Sequence, residues 1–183
     1  MSISDHAGNA RPNHILFICT GNLGRSPMAE HLLRHLLQQS EIEGIEVSSA
    51  GLFSEEGLPA EYEALEIMSE RGIDMSGHRS RALTQEMADK ADLIIVMEDY
   101  HQRLMGKYFE NVEKKTHMLG EYAVEREKPK DIPDAFGKDR IVYEMVLGEI
   151  KRSLFGLIRR MLSGPVSSIK LNQSRPKHSN DDE

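Results

Sequence analysis

The chain has 183 residues, 30 acidic and 23 basic side chains and a formal net charge of −7. That length suits one domain with a sizeable core and tails, and the negative balance argues against a nucleic acid or an acidic membrane as a partner held by bulk electrostatics. A single cysteine excludes an internal disulfide, no apolar run approaches the ~20 residues that span a bilayer, and the N-terminal stretch lacks the apolar core of a secretion signal, so a reducing, cytoplasmic setting is expected.

Residues 1–12 read as a flexible N-terminal segment ahead of a domain spanning 13–163. Ile15 to Ile18 predicts a buried strand, and Met28, Ala29, Leu32, Leu33, Leu36 and Leu37 make one face of a following helix. Ile45 to Ser48 predicts a second strand, ended by Ala50-Gly51. A helix is expected from about Ala60 to Arg71, stopped by Gly72. Thr84 is a plausible N-cap for a helix running to Lys90. Leu93 to Met97 is the clearest buried strand, followed by a helix over Tyr100–Phe109 and a weaker strand over Thr116–Leu119. A long last helix shows a stripe of Val142, Met145, Val146, Ile150, Leu154, Ile158 and Met161. Residues 164–183, rich in Ser, Asn and Lys, carry too little apolar content to order themselves and read as a disordered C-terminal tail. The alternation predicts a single-domain α/β fold, a parallel sheet with helices on both faces, whose ligands bind beyond the carboxyl ends of the strands.

At that end of the first strand stands Cys19-Thr20-Gly21-Asn22-Leu23-Gly24-Arg25-Ser26. Strand, tight loop and helix N-terminus form a geometry that binds oxyanions through backbone N–H groups and the helix dipole. The same surroundings favour a cysteine's thiolate, the form that attacks phosphorus. Arg25 can fork two hydrogen bonds onto a phosphate held by the loop, and Ser26 can donate to the sulfur. Gly21 and Gly24 allow close backbone approach, and Asn22 tolerates positive φ. The spacing thus points to covalent catalysis through a phosphocysteine after the first strand. The plainer alternative is a buried structural cysteine on a Gly-rich turn.

The run from Ile15 to Leu33 resembles the signature of low-molecular-weight protein tyrosine phosphatases and the related protein arginine phosphatases. The resemblance continues through Ser48–Gly51, Gly72-Ile73-Asp74 with His78 and Arg81, Ala91–Met97 and Asp131–Gly137, covering about 13–162. It implies hydrolysis of protein phosphotyrosine with Cys19 as nucleophile, Arg25 as phosphate clamp and Asp134 as general acid and base. No metal or other cofactor is implied. Ser49, His78 and Asn22 match positions that hold the loop rigid, although His78 alone reads as a surface-loop histidine.

Two departures from the family pattern stand out. Ala135 replaces the proline usual after the acid, which would leave Asp134 freer. Asp131 is the alternative acid, and a surface turn around Pro133 that caps the next helix is the purely structural reading. Gly24 stands where many relatives carry a second cysteine, which would trap oxidised Cys19 as a disulfide. Within the resemblance, apolar Leu23 favours a phosphotyrosine ring over a phosphoarginine guanidinium, and Phe53 and Phe136 are candidate pocket walls, each alternatively a core residue. His31 and His35, four apart, have a metal-chelating spacing but no third ligand nearby, and read as two histidines on a solvated helix edge. The rival functions are a protein arginine phosphatase and a catalytically weak phosphoprotein-binding module. An arsenate reductase would need further cysteines. Phosphorylated protein is the expected partner, with a monomer plausible.

Overall fold

The apolar run around Ile15 lies at the centre of a parallel four-stranded sheet. In this computed structural model, which describes residues 11–123 and 131–163, the strands are β1 (His14–Cys19), β2 (Glu46–Gly51), β3 (Leu93–Val96) and β4 (Thr116–Met118). Their order is β2-β1-β3-β4, with Ile18 of β1 opposite Ala50 on one side and Val96 on the other. The helices are α1 (Arg25–Gln39), α2 (Tyr62–Ser69), α3 (Gln85–Lys90), α4 (Asp99–Tyr108) and α5 (Arg140–Leu162). Most of the N-terminal segment and the whole C-terminal tail expected from sequence lie outside the described residues.

Alternation along β1 sorts the core into two layers. Ile15, Phe17 and Cys19 pack with α1, α2 and α5, including Met28, Leu33, Ile67, Val146 and Ile150. Leu16 and Ile18 face the other layer, where Ala88 of α3 and Met105 of α4 join Ile94 and Val96. Burial on both faces explains why these strands read as continuous apolar runs. Among the described residues no helix is long and apolar enough to cross a membrane.

Two boundaries differ from the sequence expectation by more than a residue, and the last helix buries a different face. α2 is shorter than Ala60–Arg71, because Arg71 and Gly72 donate to Met68 and Ser69 in a tightened last turn and Gly72 adopts φ 73°. β2 runs on to Gly51 through polar Ser48 and Ser49, paired along its length with β1. The stripe of α5 is shifted. Met145 is 66% exposed, and the buried set is Tyr143, Val146, Leu147, Ile150, Leu154, Leu157 and Ile158. Two residues beyond Tyr143, Met145 is rotated about 200° around the helix, away from the sheet.

Candidate active site

The loop after β1 curls back onto its own cysteine. The Asn22 N–H donates to Cys19 Sγ at 3.3 Å, and Ser26 Oγ lies 3.0 Å from the same sulfur. Ser26 Oγ accepts from Asn22 Nδ2 at 3.0 Å, which leaves the serine proton for sulfur. Cys19 is 3% exposed, at the loop mouth rather than within the apolar layer alone. α1 begins at Arg25 with no side-chain cap and no acidic residue in its first turn, so its N–H groups and partial positive charge are left for an anion.

Asn22 organises the loop. It sits at φ 57°, is fully buried, and uses every polar group. Its Nδ2 also donates to Ser49 Oγ at 2.8 Å, its Oδ1 accepts from the Arg81 N–H at 3.1 Å, and its carbonyl accepts from His78 Nε2 at 2.8 Å. Ser49 Oγ donates in turn to Glu30, which is paired with Arg34 at 2.7 Å. Burial lowers the His78 pKa, opposed by its bond to the Asn22 carbonyl. A Cβ on Gly51 would lie 2.8 Å from the Thr20 carbonyl oxygen, so the end of β2 must be glycine for the loop to pass this close.

The Arg25 guanidinium is buried, with 3% exposure, yet both terminal nitrogens are engaged. Nη1 meets Glu98 Oε1 at 2.7 Å and the Ile132 carbonyl at 3.1 Å. Nη2 meets Asp134 Oδ2 at 2.8 Å and Thr20 Oγ1 at 3.4 Å. Asp134 is therefore brought to the arginine despite the missing proline, its other oxygen accepting from the Phe136 N–H at 3.1 Å. The neighbouring carboxylate is used elsewhere, since Asp131 Oδ1 accepts from the Asp99 N–H at the start of α4. The carboxylate that caps α5 is Asp139, bonded to the Val142 N–H at 3.2 Å.

Cys19, Thr20, Gly21, Leu23, Gly24 and Arg25 line a cavity of about 390 Å³, within the range that holds small-molecule ligands. Phe53 and Phe136, each largely exposed, also line it, as do Asp134 and Ala135. Glu55, Leu58, Glu61 and Tyr143 complete it. Burial and the charges of Glu63 and Asp134 raise the Glu61 pKa. Sequence reasoning missed Glu98, Glu61 and Tyr143, whose only signal is an acidic or aromatic residue at the edge of an element. His31 Nδ1 is bonded to the Pro27 carbonyl at 3.0 Å and its ring meets His78 edge-on. Among the described residues no group of three metal-ligating side chains is assembled.

The family model of low molecular weight phosphotyrosine protein phosphatases matches residues 14–167. The chain is 36% identical over 141 residues to the low molecular weight protein-tyrosine-phosphatase Etp of Escherichia coli, covering 77% of this chain and 89% of Etp. It is 34% identical over 150 residues to a protein-arginine-phosphatase of Geobacillus stearothermophilus, covering 82% and 97%. A YwlE arginine phosphatase mutant with a phosphorylated active-site serine superposes with a TM-score of 0.77 at 30% identity, over 83% of this chain and 97% of that one. A family match across nearly the whole described fold, with Cys19 and Arg25 on the loop after the first strand of a matching parallel sheet, places the chain in the low-molecular-weight protein tyrosine phosphatase family of cysteine-dependent phosphatases, which has protein-arginine-phosphatase relatives.

Proposed function

We propose that the protein hydrolyses phosphotyrosine in proteins. The observation that carries this reading is the convergence of Cys19, Arg25 and Asp134 on one cavity at the end of β1. The Cys19 thiolate attacks phosphorus, so that an S–P bond forms as the P–O bond to the phenol breaks. Arg25 and the loop N–H groups hold the equatorial oxygens of the transferring group. Asp134 gives its proton to the departing phenolate. It then takes one from the water that attacks the phosphocysteine, whose P–S bond breaks to release phosphate and the thiolate. Arg25 Nη2 and Asp134 Oδ2 are 2.8 Å apart. A bound phosphoryl oxygen takes over Nη2 and frees the carboxyl to face the leaving group.

Ser26 eases departure of the sulfur, while Asn22, Ser49 and His78 keep the loop's donors aimed. Leu23, Phe53 and Phe136 supply apolar walls for a phenyl ring. A cytoplasmic setting suits a thiolate enzyme with no second cysteine. Phosphoarginine is the second reading, favoured by the Glu55 and Glu61 carboxylates in the same cavity, which could pair with a guanidinium. Phosphate release from matched phosphotyrosine and phosphoarginine peptides, without added metal, separates the two. Rapid release from phosphotyrosine, abolished by Cys19→Ser and strongly slowed by Asp134→Ala, is expected. Preference for phosphoarginine would transfer the mechanism to the other substrate. Phosphopeptide binding without turnover would leave only a recognition module.

A further inference from the structure

His101 has no place in the mechanism above, yet it lies against the parts that hold Arg25. It is fully buried on α4, with Nε2 3.0 Å from Thr20 Oγ1 and 3.6 Å from Glu98 Oε2. Both partners bond Arg25 directly, Glu98 at Nη1 and Thr20 at Nη2. Four side chains thus close a ring behind the loop. Thr20 follows the nucleophile in sequence, so the ring joins both ends of the phosphate loop to α4.

The proton's position follows from the neighbours. Glu98 Oε2 stands 3.6 Å from Nε2, an acceptor that favours the hydrogen there, and the imidazole then donates it to Thr20 Oγ1 at 3.0 Å. Nδ1 has no hydrogen-bond partner among the described residues. A bare lone pair there is the tautomer that buries no unpaired N–H. Burial and the Arg25 charge push the His101 pKa down to about 4, which keeps the ring neutral and adds no second cation beside Arg25. Thr20 Oγ1 then accepts from both His101 and Arg25, which fills its lone pairs. Its own proton has no acceptor among the described residues and is free to turn toward an oxyanion in the cavity, which Thr20 lines.

We propose that His101 is a positioning residue of the phosphate site, a neutral imidazole that fixes the Thr20 hydroxyl beside the Glu98 carboxylate so that Arg25 stays aimed at the phosphoryl group. This rests on the phosphatase reading only in its kinetic part, because the same ring governs binding of an oxyanion. The test compares wild type with His101→Leu, His101→Gln, Thr20→Val and the His101→Leu/Thr20→Val double variant. It reads melting temperature, affinity for inorganic phosphate by calorimetry, and kcat and KM on a phosphotyrosine peptide.

His101→Leu is expected to weaken phosphate binding several-fold and lower kcat about 10- to 100-fold, since small misplacements of a clamp have effects of that size. Gln, which retains a neutral N–H donor, restores most of both. Thr20→Val reproduces the loss, and the double variant is no worse than the poorer single one. The proposal is overturned if His101→Leu binds phosphate like wild type, if Gln is as damaging as Leu, or if the two losses multiply. Should His101→Leu fail to fold, Thr20→Val and His101→Gln carry the same comparison. A wild type that binds phosphate but turns over no substrate refutes the phosphatase reading, while the affinities still decide the role of His101.

Discussion

Gly24 and His101 show how single positions set chemistry at the residue scale. Cys19 is the only cysteine, so its sulfenic acid has no internal thiol with which to condense. Brief peroxide exposure should be reversed by added thiol, whereas prolonged exposure should give permanent loss and a sulfinic mass on the Cys19 peptide. A Cβ at Gly24 would meet Tyr143 Cε1 at 3.6 Å, an ordinary contact, so Gly24→Cys should fold and extend the recoverable period. His101 gives a pH prediction. Its pKa falls from 6.5 to about 4 through burial first and then the Arg25 charge, opposed by Asp134 and Asp131, with Glu98 also facing it. The unfolded chain therefore binds the proton more readily, so stability is full above about pH 6.5 and is lost as pH falls toward 4. The span corresponds to about 3 kcal/mol. Melting temperature measured across that window should drop steeply in wild type and more gently in His101→Gln. Cys19 and Arg25 were legible as a pair in sequence because they share one short loop. Glu98 and His101 were not, because their partners lie 73 and 81 residues away and only the fold joins them.

At the scale of elements, the site is a junction of strand ends and helix starts. β1 and β3 were legible as unbroken apolar runs because both faces of the sheet are covered. β2 was only partly legible, since polar Ser49 ahead of Ala50-Gly51 reads as the strand's end. Ser49 proves to be buried at 1% exposure because its hydroxyl serves Asn22 and Glu30. The stripe of α5 was misread through Met145, an apolar side chain that the helix turns to solvent. Gly51→Ala tests the closeness of β2 to the loop. Its Cβ would press on the Thr20 carbonyl and the Asn22 N–H, so activity should fall far more than melting temperature. Asp139→Ala removes the cap of α5 and should lower stability by about 1 kcal/mol in denaturant titrations, leaving kcat little changed.

For the molecule as a whole, a net charge of −7 surrounds a site that we propose takes an anion. Long-range repulsion and local attraction therefore oppose each other, and only the first is screened by salt at a distance. Raising ionic strength from about 10 to about 200 mM should lower KM for an acidic phosphopeptide and raise it for a basic one. The central claim, covalent transfer to Cys19, is tested most directly in Asp134→Ala. With para-nitrophenyl phosphate the leaving group departs without an acid, while water still needs a base, so the phosphoenzyme should accumulate. Mass spectrometry after acid quenching should find one phosphoryl group on the peptide containing Cys19, and none in Cys19→Ala. Steady phosphate release with Cys19 unmodified, or with the phosphoryl group on another residue, would contradict the account.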